Sequence, residues 1–471
     1  MDLVSLKLMT EGHIFPANFL ESLSGEPGFE PEKFTNVHKI SEVPTSIRLN
    51  PFKKTGVKIG EPVPWCPEGY YLDARPSFTF DPLFHAGCYY VQEASSMFIA
   101  HILKHIRQNN DEPVKVLDLC AAPGGKSTLI NSAIGSSDLL VANEIIKTRV
   151  PVLCDNLNRW GNANTIVSNN DPRDFGRLTG FFDIILVDAP CSGSGMFRKD
   201  PQAMNEWSEG NVNLCHQRQE RILADIYPAL KEDGYLIYST CSYSHQENED
   251  ILGWLCQEFD MESVRIPINE SWGIVESQST AQKAWGYRFY PDKVKGEGLF
   301  AACLKKREPA KQLYFSKSKE NQKLLAKELD IVKSYLRQPD DFYFFKVADT
   351  WMTIKKEHKP AVEVLQKYLY LKKSGTRPGQ IMGNELVPDH ELALSIYINK
   401  DNVLQTELNY ERAIQYLRRE NIELPSTGKG WSVMTFEQQA LGWAKLLPNR
   451  VNNYFPKELR ILAAHPPKSD V

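Results

Sequence analysis

Two cysteines in polar, glycine- and serine-rich stretches are the residues of this chain best suited to chemistry. Cys191 lies in DAPCSGSG, three positions after Asp188, and Cys241 lies in STCSYSHQENE. Each follows a short run that predicts a buried strand, 184–188 and 235–240. Ligands of open α/β sheets bind beyond the carboxyl ends of such strands. Because a cysteine thiolate is an effective covalent nucleophile, we expect a reactive cysteine pair at this edge.

A third stretch, KVLDLCAAPGGKST (115–128), predicts a strand, a glycine-rich turn and the start of a helix. Such a turn lets backbone N–H groups approach a ligand closely. A phosphate-binding P-loop would need glycine where Cys120 stands, and the dinucleotide fingerprint G-x-G-x-x-G is absent. Glu144 follows the next strand at the spacing that reaches a ribose hydroxyl, and Asp171 follows the third strand.

These features favour an adenosine ligand without phosphates, and S-adenosylmethionine is the candidate. The alternative is that the two acids only cap helices. The predicted cofactor-binding residues are Cys120, Ala121, Ala122, Pro123, Gly124, Gly125, Lys126, Glu144, Asp171 and Asp188.

The elements that must position these residues alternate between strand and helix. Strands are predicted at 114–119, 139–144, 165–169, 184–188 and 235–240, and helices at 127–133, 147–160, 211–230 and 246–259. This alternation is typical of a parallel sheet in an α/β fold. We also predict a helix starting near Ser95 or Ser96, a strand at 45–51, and an antiparallel strand at 299–304 paired with 262–266.

The length of 471 residues suits two or three domains. We predict an N-terminal appendage at 1–80 that packs or binds RNA, a catalytic unit at 81–307 and a C-terminal RNA-binding region at 310–471. Within that last region, 316–336 reads as a lysine-rich helix and DFYFFKVADTWMTIKK as a β-hairpin.

The net charge of −4 hides a basic segment, because residues 305–377 hold eighteen Lys/Arg against nine Asp/Glu. Tyr343, Phe344, Phe345 and Trp351 are interleaved there and could stack on RNA bases, or could form the core of a small β module. The nine cysteines form no C-x-x-C pair, so we expect neither a metal site nor disulfides. No leader-like or membrane-spanning segment is evident, and we expect a cytoplasmic monomer that does not bind membranes.

Taken together, the motifs resemble those of the Nop/Sun family of RNA 5-methylcytosine methyltransferases, and within it the RsmF type that acts on small-subunit ribosomal RNA. The similar stretches are SIRLN, VQEASS, LDLCAAPGGKST, DAPCSGSG, STCSYSHQENE and RFYPDKVKGEGLFAACLKK. The resemblance implies a Rossmann-like S-adenosylmethionine-dependent core, a small N-terminal α+β appendage and a C-terminal PUA-like RNA-binding module.

The resemblance also implies roles for the site residues. A Pro-Cys motif acts as nucleophile in DNA cytosine methyltransferases, which would nominate Cys191; the RNA family nominates Cys241, with Cys191 assisting proton handling and product release. The chemistry of the residues themselves suggests two more roles: Asp188, which only accepts hydrogen bonds when ionised, could bind the exocyclic amine or the protonated ring nitrogen of cytosine, and Lys126 could hold Asp188 or the base. His245 could serve Cys241 as a base or be an ordinary polar loop residue. A transfer-RNA substrate, or a non-catalytic role in ribosome assembly, stays open as an alternative.

Overall fold

A computed structural model describes residues 15–40, 42–108, 111–309, 325–424 and 428–463. The N-terminal part consists of α1 (Phe19–Ser22), α2 (Pro31–Ile40), β1 (Thr45–Leu49), β2 (Gly69–Leu72), α3 (Pro82–His85) and β3 (Tyr89–Val91). Its strands form an antiparallel sheet in the order β2-β1-β3. The predicted strand at 45–51 is thus confirmed as β1.

The central part alternates strands and helices as the sequence predicts. Its elements are α4 (Phe98–Arg107), β4 (Lys115–Asp118), α5 (Gly125–Ala133), β5 (Leu139–Asn143), α6 (Val150–Trp160), β6 (Thr165–Ser168), α7 (Pro172–Phe175), β7 (Phe182–Asp188), α8 (Pro201–Glu206), α9 (Glu209–Ile226), β8 (Leu230–Thr240), α10 (Glu249–Glu258), β9 (Met261–Ser263), β10 (Val275–Gln278), β11 (Trp285–Phe289) and β12 (Leu299–Lys306). The expected helix after Ser95 begins with a 3-10 turn and continues as α4.

These strands build one sheet in the order β10-β11-β12-β8-β7-β4-β5-β6, with β9 paired to β12. Strands β6, β5, β4, β7 and β8 are parallel, and β12 is antiparallel to β8. The expected partner of β12 near residue 262 is confirmed, although the paired residues of β12 are Leu304 to Lys306.

Apolar side chains cover both faces of the sheet, which explains the near-continuous apolar runs of its central strands. Helices α4, α5 and α6 pack on one face, through residues such as Ile102, Ile130 and Leu153. Helices α9 and α10 pack on the other, through residues such as Leu223 and Leu252. This sandwich fixes the carboxyl ends of β4, β5, β6, β7 and β8 along one edge.

The C-terminal part consists of α11 (Ala326–Ser334), β13 (Phe342–Val347), β14 (Thr350–Lys355), α12 (Lys359–Tyr368), β15 (Leu371–Ser374), β16 (Thr376–Met382), β17 (Glu385–Pro388), α13 (His390–Leu394), β18 (Leu404–Glu407), α14 (Tyr410–Leu417), β19 (Gly430–Phe436), β20 (Gln439–Leu447) and β21 (Arg450–Asn453). They form two four-stranded sheets, β13-β14-β16-β17 and β18-β19-β20-β21. Strand β15 instead joins the central sheet as an antiparallel neighbour of β6. The division at 80 and 310 stays a prediction, and one strand from beyond residue 310 completes the catalytic unit's sheet.

The aromatic hairpin is confirmed as β13 and β14, but three of the four rings considered for stacking on RNA bases are buried. Phe344 and Phe345 are each 6% exposed and Trp351 is fully buried, with Tyr343 only half-buried. Phe345 packs against the cluster under the central sheet, and Phe344 and Trp351 pack against a second cluster on the other face of the hairpin. The alternative interpretation, a β-module core, is therefore correct for the three buried rings. Of the predicted lysine-rich helix, residues 316–324 lie outside the described residues, and α11 accounts for much of the remainder.

Candidate active site

The two cysteines predicted to react lie in direct contact. Their sulfur atoms are 3.0 Å apart, and both side chains are partly exposed. Cys191 follows β7 and Cys241 follows β8, and these strands are parallel neighbours with Asp188 opposite Ser239. Gly195 N donates to the Cys241 carbonyl oxygen at 2.7 Å, which joins the two loops. The strand pairing thus places both thiols at one point.

Lys126 and Asp188 form an ion pair beside the cysteines. Lys126 Nζ lies 2.8 Å from Asp188 Oδ2, and their side chains are 16% and 33% exposed. Ser239 Oγ donates to the other carboxylate oxygen at 2.7 Å. Although burial opposes protonation, the charge and hydrogen bond of Asp188 hold the pKa of Lys126 above its ordinary value. Lys126 belongs to α5 and Asp188 ends β7, so this pair joins the glycine-rich loop to the cysteine loops.

The electrostatic surroundings of the two thiols differ. The hydrogen bond to Cys241 and then burial raise the pKa of Cys191 well above its usual range, and the charge of Glu247 acts in the same direction. The Lys126 ammonium, by contrast, is stabilised by a negative charge on Cys241. The hydrogen bond to Cys241, burial and the nearby Glu247 carboxylate thus favour the protonated thiol form of Cys191.

The glycine-rich loop after β4 is held by Asn156 of α6 and by Arg149, the residue just before that helix. Arg149 Nη2 donates to the Ala122 carbonyl oxygen at 2.6 Å, and Asn156 Nδ2 donates to the Pro123 carbonyl oxygen at 2.7 Å. Gly124 has a φ of +113°, a conformation that side chains strongly disfavour, and leads directly into α5. The loop therefore presents the amino end of a helix to the edge of the sheet.

Glu144 and Asp171 do not share the same environment. Glu144 is 2% exposed, accepts a hydrogen bond from Ile146 N at 2.8 Å and lies 3.4 Å from Arg149 Nη1. Asp171 caps α7, accepting from Arg173 N at 3.1 Å. The helix cap considered as the alternative interpretation is thus present at Asp171. Glu144 instead lies beside Arg149, the residue that also donates a hydrogen bond to the glycine-rich loop.

Two polar residues that the sequence reasoning missed organise this edge. Asn143, 1% exposed, donates to the carbonyl oxygens of Leu119 and Asn170, at 3.2 and 3.0 Å, and so ties together the ends of β4, β5 and β6. Asp118, which is fully buried, accepts from Ser127 Oγ at 2.6 Å and has one oxygen without a protein partner. Burial raises its pKa to about 7, against the opposing effect of Ser127. Both stand at the ends of predicted strands, which is the signal that could have found them.

His245 is surrounded by acids. Its Nδ1 lies 3.3 Å from Glu26 and 3.6 Å from Glu249, and its Nε2 lies 3.4 Å from Asp250. The hydrogen bond to Glu26 raises its pKa. Arg288 also contacts Glu26 and Glu249, so this group fastens the N-terminal part to the Cys241 loop.

The residues at the cofactor edge fit S-adenosylmethionine. A Cβ atom added at Gly125 would lie 3.3 Å from the Tyr90 ring, and one at Gly124 would lie 3.3 Å from Asn156, so a side chain at either position would be tightly crowded. The carboxylate of Glu144 suits a ribose hydroxyl. The loop presents the N–H groups at the start of a helix but lacks the sequence pattern of a phosphate-binding P-loop. The sheet order and this site define a Rossmann-like, S-adenosylmethionine-dependent methyltransferase.

Comparison with known proteins shows to which family of S-adenosylmethionine-dependent methyltransferases the chain belongs. Residues 103–305 match the family model "16S rRNA methyltransferase RsmB/F", residues 15–94 match the N-terminal domain of 16S rRNA methyltransferase RsmF, and residues 403–461 match the RsmF PUA domain. The ribosomal RNA small subunit methyltransferase F of Aliivibrio fischeri is 31% identical over 416 residues, covering 85% of each chain. That of Shewanella piezotolerans is 30% identical over 442 residues, covering 88% of this chain and 90% of the relative. The chain belongs to the RsmB/F methyltransferase family.

Solved structures agree on the fold. A methyltransferase homolog protein from Pyrococcus horikoshii is 28% identical and superimposes with a TM-score of 0.52, covering 65% of this chain and all of that one. NSun6 from the same organism, solved with SFG, shares the fold at 21% identity and a TM-score of 0.52, covering 63% of this chain and 99% of that one. Within the described residues, no helix is long and apolar enough to cross a membrane.

Proposed function

We propose that this protein methylates carbon 5 of cytosine in small-subunit ribosomal RNA, through a covalent bond between Cys241 and carbon 6 of the base. The observation that carries the proposal is the contact of two thiols beside the Lys126–Asp188 pair, at the edge where the glycine-rich loop lies. The relatives named as ribosomal RNA small subunit methyltransferase F support the choice of RNA.

The chemistry needs covalent help because carbon 5 of cytosine is a poor nucleophile. Addition of the Cys241 thiolate to carbon 6 pushes an electron pair toward carbon 5, which can then attack a methyl group. Bound S-adenosylmethionine would supply that methyl group on a sulfonium. The backbone of residues 120–125 and the carboxylate of Glu144 would hold it, with Asp171 further along the same edge.

The other site residues serve the base and the protons. Asp188 accepts hydrogen bonds from the exocyclic amine or the protonated ring nitrogen of cytosine, which selects cytosine over uracil. Lys126 orients Asp188 through their ion pair. Once carbon 5 is methylated, a base must take its proton. The electron pair of that carbon–hydrogen bond then forms the carbon 5–carbon 6 double bond, and the sulfur–carbon 6 bond breaks with its electron pair returning to Cys241. Cys191, a thiol in contact with Cys241, assists this last stage.

A groove of about 980 Å³ offers a path for the RNA strand. It is formed by the N-terminal sheet together with Arg198 and Lys199, which follow the Cys191 loop, and Lys295. Exposed Arg75, Lys199 and Lys295 line it, together with the acids Glu42, Asp73 and Glu93, while the Arg198 side chain is buried against Glu297. Cations spaced along a groove suit the phosphates of a single strand, and the target base must leave its stack to reach the thiols.

The decisive experiment compares the two cysteines on unmodified small-subunit ribosomal RNA. We expect Cys241→Ala to abolish methylation and to form no covalent RNA adduct. Cys191→Ala should accumulate an adduct that survives denaturing electrophoresis, and the double variant should not. Cys256→Ala, a half-buried cysteine on α10, is the matched control and should behave as wild type.

An adduct in Cys241→Ala, with none in Cys191→Ala, would reverse the assignment. Bisulfite mapping of total RNA with and without the protein tests the substrate, since modified transfer RNA with unmodified ribosomal RNA would contradict the ribosomal choice. Thermal stabilisation by S-adenosylmethionine without any methylation would favour an assembly role instead. A cytoplasmic location and a monomeric state stay predictions from the sequence.

A further inference from the structure

Glu247 is a buried acid that the mechanism above does not use. It lies in the turn between the Cys241 loop and α10, and its side chain is fully buried. A buried carboxylate is costly unless hydrogen-bond donors surround it. The hydrogen-bond donors that surround the Glu247 carboxylate therefore indicate its role.

The carboxylate contacts both cysteine loops. Ser192, the residue after Cys191, donates to it from its backbone N at 2.8 Å and from its hydroxyl at 2.5 Å. Ser242, the residue after Cys241, donates its hydroxyl to the same Oε2 at 2.5 Å. Both serines are buried, so these bonds are shielded from water.

A third element supports the same carboxylate. Gln219, buried in α9, donates from Nε2 to Glu247 at 3.3 Å and to the Pro190 carbonyl oxygen at 3.0 Å. The Tyr238 hydroxyl, on β8, donates to the Glu247 backbone carbonyl oxygen at 2.7 Å. Side chain and backbone of Glu247 are thus both fixed by the helix and strand that flank the site.

From this geometry we infer that Glu247 is a positioning residue that clamps the Ser192 and Ser242 loops together, so that the Cys191 and Cys241 sulfurs stay in contact on one face of the target base. The inference rests on the proposed function, because only a reaction that uses both thiols on the same ring needs them held side by side.

The clamp is needed because the loops themselves are built of small residues. Cys191 is followed by Ser-Gly-Ser-Gly, and Gly193 has a φ of +74°. A carboxylate that receives donors from both sides replaces this freedom with a fixed spacing. Its negative charge also disfavours a thiolate at Cys191, which supports the division of labour between the cysteines.

The first test measures thiol proximity without any RNA. Dibromobimane, which fluoresces only after both of its arms have reacted with thiols, should link Cys191 to Cys241 rapidly in the wild-type protein. Glu247→Ala should slow this cross-linking at least about tenfold, and Glu247→Gln, which keeps one acceptor oxygen, should give an intermediate rate. Glu258→Ala, an exposed glutamate on α10, is the matched control and should cross-link at the wild-type rate.

The second test measures catalysis. Single-turnover methylation of small-subunit ribosomal RNA by Glu247→Ala should fall by about a hundredfold, the scale expected for an ångström-sized displacement of a reacting group. The Kd values for S-adenosylmethionine and for RNA should stay within about twofold of wild type. If Glu247→Ala does not bind S-adenosylmethionine, the milder double variant Ser192→Ala/Ser242→Ala decides, and it should show the same loss of cross-linking.

Wild-type cross-linking and methylation in a variant that binds S-adenosylmethionine normally would overturn the inference. A Cys191→Ala variant that forms no RNA adduct would contradict the proposed function alone, because cross-linking of the two thiols in the wild-type protein would still report on the clamp.

Discussion

Replacement of Asp118 by asparagine gives a quantitative test of the electrostatics at the end of β4. Asp118 is fully buried, and one of its oxygens accepts from Ser127 Oγ. An asparagine amide oxygen can accept the same bond with almost the same shape. The substitution therefore removes an ionisable group while leaving the packing and the link to α5 in place.

The magnitude follows from the pKa of Asp118, which burial raises from 3.8 to about 7. Between about pH 4 and pH 7 the folded protein keeps a proton that the unfolded chain has released. Because the unfolded state then binds fewer protons, the free energy of unfolding falls as the pH rises through this window. Three pKa units correspond to a loss of up to about 4 kcal/mol above pH 7, and to none below pH 4.

Asp118→Asn escapes this loss. We expect its thermal unfolding midpoint, measured without cofactor, to equal that of wild type at pH 4. At pH 8 the midpoint of the variant should be higher by up to about 10 °C. Asp111→Asn, an exposed acid before β4, is the control and should show no such divergence. A midpoint difference between Asp118→Asn and wild type that is the same at both pH values would refute the reasoning.

Two further predictions concern the reaction and the RNA. Asp188→Asn keeps the shape of the side chain but loses the charge that pairs with Lys126. We expect kcat/KM for RNA to fall about 10- to 150-fold, as for the loss of a charged hydrogen bond worth about 1.5–3 kcal/mol, and the Kd for S-adenosylmethionine to change little. An unchanged kcat/KM would remove Asp188 from the mechanism. Lys199→Glu should weaken RNA binding and make the salt dependence shallower. The magnitude of the slope of log affinity against log salt concentration should fall by about 1, measured by filter binding from about 50 to 200 mM salt. Lys283→Glu, on the exposed turn between β10 and β11, should leave both quantities unchanged, and equal effects at the two lysines would argue against the groove.

Much of the fold could be predicted from the sequence because its signals are local. Apolar runs punctuated by glycine-rich turns marked β4, β5, β7 and β8 to within a few residues, except that β8 begins five residues early. Once these strands are parallel, their carboxyl ends must share one edge. The proximity of Cys191, Cys241 and the glycine-rich loop followed from that constraint.

Only the tertiary structure decided which polar and aromatic side chains have partners. The alternation in 342–355 marked a hairpin, but the burial of Phe344 and Trp351 depends on a cluster that includes Ala163 and Trp443, far away in the chain. Strand β15 joins the central sheet through β6, two hundred residues earlier in the chain, which no local pattern indicates.

The same distinction applies at the site. The sequence supplied the thiols, Asp188 and Lys126, since their residue types and loop positions are visible in the text. The positioning role of Glu247 could not be predicted from the sequence, because it depends on hydrogen-bond donors of Ser192 and Gln219, which lie in other segments of the chain. A reactive group can be found from its chemistry and its place after a strand, whereas a residue that holds it in place is defined by contacts that exist only once the chain has folded.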